Sequence, residues 1–162
     1  MRFGIATCAA FAWCVMASAA SAATATDTFQ VTATVVASCS VDAANLSFGS
    51  YDPVSATPLD GSTSISVHCT NGAGYVLGLD EGVGASATVS ARQMSNGGQT
   101  LTYALYQDSG RTTVWGETSG VNTVAGTGSG AVQTVTIYGR APAQQAATAG
   151  SYTDTVTVTV TY

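Results

Sequence analysis

The sequence predicts an all-β chain folded as an antiparallel sandwich or barrel, and three observations carry that expectation. Apolar residues recur at every second position in several short runs. Threonine and valine, residues that suit a pleated half-buried surface, fill those runs. Clusters of Gly, Asn, Asp and Ser separate them, and no apolar stripe of 3.6-residue period specifies a helix.

Composition narrows what such a chain can do. Of 162 residues only 8% are charged and 46% are hydrophobic, with four Lys+Arg against nine Asp+Glu and a formal net charge of -5. That is room for one domain with a real core, and too apolar for a disordered chain. Four dispersed basic residues lack the charge to neutralise a phosphate backbone, so nucleic acid and anionic membrane surfaces are poor candidate partners, and no nucleic acid is expected. The first segment reads as a secretory signal: Arg2 supplies the positive start, Phe3 to Met16 the apolar core, and Ala20-Ser21-Ala22 the cleavage site. The apolar stretch falls short of the roughly 18 residues a membrane-spanning helix needs. The expected division is therefore a cleaved signal peptide at 1–22, an N-terminal extension at 23–36 and a sandwich domain at 37–162.

Taken in order, Phe29, Val31, Ala33 and Val35 alternate with Gln30, Thr32 and Thr34, the period of a strand with one buried face. Ile65, Val67 and Cys69 share a parity, as do Tyr75, Leu77 and Leu79, then Leu101, Tyr103 and Leu105, then Val135 and Ile137. Val114-Trp115-Gly116 reads as a short core strand. The clearest run is the last, where Val156, Val158, Val160 and Tyr162 interleave with four threonines. Asp154 shares the parity of Val156, so this strand is expected to begin beyond Asp154 or to carry a bulge. Turn chemistry is read at Asp60-Gly61-Ser62, Asn71 to Gly74, Ser95 to Gly98, Asp108-Ser109-Gly110 and Gly126 to Gly130. Pro142 and Gly150 bracket an alanine-rich loop. An immunoglobulin-like sandwich is the natural architecture for this order.

Signal cleavage removes Cys8 and Cys14 and leaves one pair, Cys39 and Cys69, in an oxidising compartment. One disulfide is the simplest reading, and closing a loop of roughly 31 residues stabilises a fold by ~3 to 4 kcal/mol in the chain-entropy model. A zinc site is the rival, but two cysteines and one histidine would need carboxylates to complete it. The ends of the mature chain raise a different question. An apolar groove beside an unpaired strand edge invites another strand. Residues 24–36 could fill such a place in their own molecule, or in the next one, which would propagate a head-to-tail fibre.

Several segments together resemble the spore coat U domain family, which includes the major pilin subunits of archaic chaperone–usher pili. They are Phe29 to Val35 ahead of Cys39-Ser40-Val41, Leu46-Ser47-Phe48-Gly49, Ile65 to Cys69, and Leu101 to Asp108 with Arg111-Thr112 and Trp115-Gly116. Val135 to Arg140 and Gly150 to Val156 complete the set, which spans nearly all of residues 29–162. The resemblance implies an incomplete immunoglobulin-like antiparallel β-sandwich that lacks its final strand. It further implies that a periplasmic chaperone lends the strand, that an outer-membrane usher exchanges it for the leader of the next copy, and that the product is a surface fibre serving adhesion and biofilm. By position, Phe29, Val31, Ala33 and Val35 would be the donor side chains, and Val156, Val158 and Val160 the acceptor edge. A one-residue slip would exchange buried and exposed sets.

Enzymatic readings find little support. His68, the one histidine, has Val67 and Cys69 on the other face and is expected on the solvent side of a strand. Asp80-Glu81 reads as solvated loop charge, and Asp42, Asp52, Asp60 and Asp108 as turn residues. Neither a calcium-ligand ladder nor a phosphate-binding glycine loop with its lysine and helix is present, and the runs Gly82 to Gly84 and Gly126 to Gly130 are expected to be flexible loops. No catalytic residue, cofactor or metal is therefore expected. Two other readings are a secreted carbohydrate-binding sandwich using Trp115, Tyr103, Tyr106 and Tyr138, and a self-complemented coat or matrix protein.

Overall fold

Eight strands account for the regular structure of a computed structural model that describes residues 21–162. Of the expected signal peptide, residues 1–20 lie outside the described residues. The chain divides into two units at Thr34–Val35. In the first, residues 21–34 contain neither helix nor strand, and Phe29 and Val31 are 88% and 80% exposed. The strand expected from the alternation at 29–35 is not formed, because a strand has no internal hydrogen bonds and alternation alone supplies no ladder.

The second unit is a two-layer sandwich. One layer has five strands in the order β1-β2-β7-β5-β4: β1 (Cys39–Ala43), β2 (Leu59–Cys69), β7 (Val132–Ala141), β5 (Gln99–Tyr106) and β4 (Arg92–Asn96). The other has three, β6 (Val124–Thr127), β3 (Gly74–Leu79) and β8 (Val158–Thr161), in the order β6-β3-β8. Every pairing is antiparallel. The parities read from sequence become the core: Ile65 and Val67 from β2, Leu77 and Leu79 from β3, and Tyr103 and Leu105 from β5 are all buried. Trp115 joins the layers from a loop, its backbone N–H bonded to the Leu105 carbonyl at 2.8 Å and its indole N–H to the Leu77 carbonyl at 3.0 Å. Val114 makes only an isolated bridge with Tyr106, so the expected short strand at 114–116 is replaced by this anchor.

Cys39 and Cys69 are bonded to each other and sit directly opposite in the β1–β2 ladder. Just before the bridge, the Thr70 N–H donates to the Ser38 carbonyl, the Ser38 N–H donates to the Thr70 hydroxyl oxygen, and that hydroxyl donates to the Val36 and Ser38 carbonyls. The β4–β5 hairpin turns through Gly97 and Gly98, both at positive φ (54° and 91°), the primed geometry that matches strand twist.

Two glycine-based expectations are corrected by packing. Asp60-Gly61-Ser62 lies within β2, where Gly61 faces Gly139 of β7. A Cβ on Gly139 would stand 2.7 Å from Leu46 and 2.8 Å from Phe48, so this bare pair makes room for those two side chains. Gly126 belongs to β6 and leaves no room for a Cβ against the Tyr75 ring, and Gly128 leaves none against the Thr70 carbonyl. These residues are close-packed contacts, and the 126–130 run is not a free loop.

Candidate functional site

The two layers do not close along one side. β8 edges the three-stranded sheet and pairs only with β3, Val158 opposite Leu79 and Val160 opposite Leu77. β1 edges the five-stranded sheet and packs beside β8. Beyond Ala43 the chain leaves the sheet through residues 44–53, and on the other side Tyr152 to Thr157 precede the β8 ladder. Between these segments lies an open groove of about 520 Å³. Its floor is the inner face of the five-stranded sheet, with Tyr103, Leu105 and Ile137; Leu46 and Phe48 form one wall, Val156 and Val158 the other. Past Phe48 and Tyr152 it continues into a second hollow of about 600 Å³ that reaches Leu101 and Ala147.

The terminal run places its valines as the alternation required. Val156, Val158 and Val160 are half-buried and pack against the core, while Thr155, Thr157 and Thr159 are exposed. Val156 and Val158 line the groove, whereas Val160 lies beyond it, against Leu77. The ladder starts at Val158, beyond Asp154, as the parity of that residue required.

Asp154 is held inside the edge of the groove by hydrogen bonds. Its carboxylate accepts from the Tyr103 hydroxyl at 2.8 Å and the Val83 N–H at 2.9 Å. Burial, and then this bond to a carboxylate, push the Tyr103 phenol well above its ordinary pKa. Asp80 is similarly placed, accepting from the Gly82 and Thr157 N–H groups at 3.0 and 2.9 Å. Partial burial opposes its ionisation, yet those bonds and the nearby Arg92 charge leave its carboxyl below the usual carboxylate range. The expectation that Asp80 is solvated loop charge is thus corrected: it fastens the groove wall to the turn after β3. Arg92, not singled out by the sequence, is fully buried, and its guanidinium donates to the carbonyls of Asp80, Val89, Leu79 and Trp115. Burial lowers its pKa from the ordinary arginine value.

The remaining residues named from sequence lie elsewhere. His68 is exposed on the outer face of β2, opposite Ser40 and Val132. Asp52 and Asp108 bracket turns, accepting from Val54 and from Thr112 and Thr113 respectively. Asp42 lies within β1 and is no turn residue. Asp60 pairs across the ladder with Arg140 at 2.7 Å and also meets Arg111 at 3.2 Å. The Arg140 hydrogen bond holds the Asp60 carboxyl below its ordinary pKa. Trp115 and Tyr103 are buried and offer no platform to a sugar. Among the described residues, no three His, Cys, Asp or Glu side chains are grouped to hold a metal.

Residues 25–159 match the model of the spore coat protein U domain. The whole chain aligns with Protein U of Myxococcus xanthus, 38% identical over 177 positions that cover 100% of this chain and 98% of that protein. Among solved structures, the fold is similar to a chain in the crystal structure of the CsuC–CsuE chaperone–tip adhesion subunit pre-assembly complex, from archaic chaperone–usher Csu pili of Acinetobacter baumannii. The TM-score is 0.59 at 22% identity, over 80% of this chain and 40% of that one, so this chain spans less than half of its structural neighbour. That likeness is one of fold. Family match and full-length relative agree, and the chain belongs to the spore coat protein U domain family.

Proposed function

We propose that this chain is a non-enzymatic structural subunit of a pilus-type surface fibre, assembled by donor-strand complementation and serving adhesion and biofilm. The observation that carries the reading is the groove: apolar floor, two unjoined walls, and a strand edge at β8 paired on one side only. The fold shared with a chain of a chaperone–usher pre-assembly complex supports it. In this reading Phe29, Val31, Ala33 and Val35 of one copy enter the groove of another along the edge formed by Val156, Val158 and Val160. Burying each of the larger donor side chains contributes up to about 1.5 to 3 kcal/mol, and a new backbone ladder adds to it. The partners are further copies of the same subunit, a periplasmic chaperone and an outer-membrane usher, and the route runs through the periplasm to the cell surface.

The test is deletion of residues 23–36 in a strain that makes the fibre, followed by electron microscopy. Loss of fibres with the protein still exported supports the donor role, and fibres of normal length reject it. The description of the family as a spore coat protein domain favours a second reading, a self-complemented coat or matrix protein. Heat-resistant ladders of oligomers on a gel distinguish the two, since only intermolecular joints produce them.

A further inference from the structure

The groove wall from Tyr152 to Thr157 is unusual for the edge of a sandwich, because most of it is not held by a β-ladder. Thr153 exchanges two backbone hydrogen bonds with Ser95 of β4, at 2.9 and 3.1 Å, and regular pairing with β3 resumes only at Val158. Between those points the wall is fastened by side chains. Asp154 reaches Val83 on one side and Tyr103 in the groove floor on the other. Asp80 receives the Thr157 N–H at 2.9 Å, and its own N–H donates to the Thr157 carbonyl at 3.2 Å. The turn that carries Asp80 and Val83 is itself fixed by Arg92, whose Nε and Nη2 donate to the Asp80 and Leu79 carbonyls at 2.8 and 3.1 Å. Gly82, at φ 81°, leaves no room for a Cβ against the Asp154 carboxylate.

A buried arginine bonded to carbonyls is costly to desolvate, and a hydrophobic side chain would fill the same space without that cost. What it supplies here is directionality: fixed donors that tie the turn at Leu79 and Asp80 to the Val89 and Trp115 carbonyls. We propose that Arg92, Asp80, Asp154 and Tyr103 form a bracket that holds the wall Tyr152 to Thr157 in the position that accepts a strand, which makes Asp154 a positioning residue for strand binding. This rests on the donor-strand reading above and assigns the acceptor geometry to a polar cluster, two of whose members, Tyr103 and Asp154, line the groove beside its apolar residues. The ladder alone cannot perform this role, because it ends where the wall begins.

The experiment uses the mature chain, residues 23–162, and a labelled synthetic peptide of residues 27–36. Asp154→Ala is expected to weaken peptide binding by at least tenfold and to speed amide exchange at Val83 and Thr155 by a similar factor, with core amides of Ile65 and Leu77 unchanged. Asp154→Asn, which keeps an oxygen for the Val83 N–H, is expected to bind within about threefold of the wild type. Ile65→Val, in the core but away from the groove, serves as the stability control and is expected to bind normally. Should Asp154→Ala not fold, Tyr103→Phe carries the same comparison, since it removes one hydroxyl and keeps the ring on the floor. Binding by Asp154→Ala within twofold of the wild type, or a loss in Ile65→Val proportional to its lower Tm, overturns the bracket alone. A wild-type protein that stays monomeric and does not bind the peptide overturns the donor-strand reading, and the bracket with it.

Discussion

Residues 29–35 and 155–161 are nearly the same sentence in residue chemistry, each an alternation of apolar residues with threonine or glutamine. Their states are opposite. Val31 is 80% exposed in a segment without secondary structure, whereas Val158 is half-buried in a strand paired with β3. Alternation therefore specifies which face of a strand will be buried, and says nothing of whether a partner edge is at hand. For the terminal run the topology supplies β3. For the leader the proposed supply is another molecule.

The largest expected effect separates the two by deletion. Removing residues 23–36 should abolish fibres while the remaining domain melts within a few degrees of the intact protein, measured by circular dichroism. Removing 158–162 should unfold it, since Leu77 and Leu79 would lose the strand that covers them. Next in size, replacing Cys39 and Cys69 together by serine should cost about 2 to 5 kcal/mol in denaturant unfolding. Single aspartates sharpen the contrast: Val158→Asp should destabilise the protomer by about 3 kcal/mol, and Val31→Asp by less than about 0.5, with assembly lost in both. Gly126→Ala, which drives a methyl into the Tyr75 ring, should cost about 1 to 3 kcal/mol with no effect specific to assembly.

The smallest effect concerns pH. The folded Asp60 carboxyl is held below its unfolded value, so its pairing with Arg140 contributes fully above about pH 4 and is lost as pH falls through the lowered folded value. Asp60→Asn should therefore cost about 1 kcal/mol or less at pH 7, and the difference from the wild type should shrink by pH 2.5 in paired urea titrations.

Sequence alone disclosed the layers better than the site. The buried parities of β2, β3, β5 and β7, the β4–β5 turn and the cysteine pair are local patterns, and each came through intact. Strands β4 and β6 did not, because Arg92 to Asn96 shows no apolar alternation and Gly126 imitates a loop. Asp60-Gly61-Ser62 looked like a turn for a related reason: glycine signals backbone freedom, and only the facing Gly139 reveals that the freedom is spent on fitting Leu46 and Phe48. The shared inward face of Val156, Val158 and Val160 could be read from their spacing, whereas a place beside a groove came only from the family resemblance. Arg92, Asp80 and Asp154 as one cluster could not be read at all, since they are brought together from three separate stretches of chain by contacts that no window of sequence contains.

The disulfide has a mechanical meaning as well as a thermodynamic one. It stands at the first residue of β1, three positions after the Val36 carbonyl that Thr70 grips. In a filament under tension, load arriving along residues 23–36 would pass through that covalent link into β2, the second strand of the larger sheet, before it could peel β1 from its neighbour. In the proposed fibre the β1–β2 ladder would thus be spared that load, which would enter the larger sheet through a covalent bond.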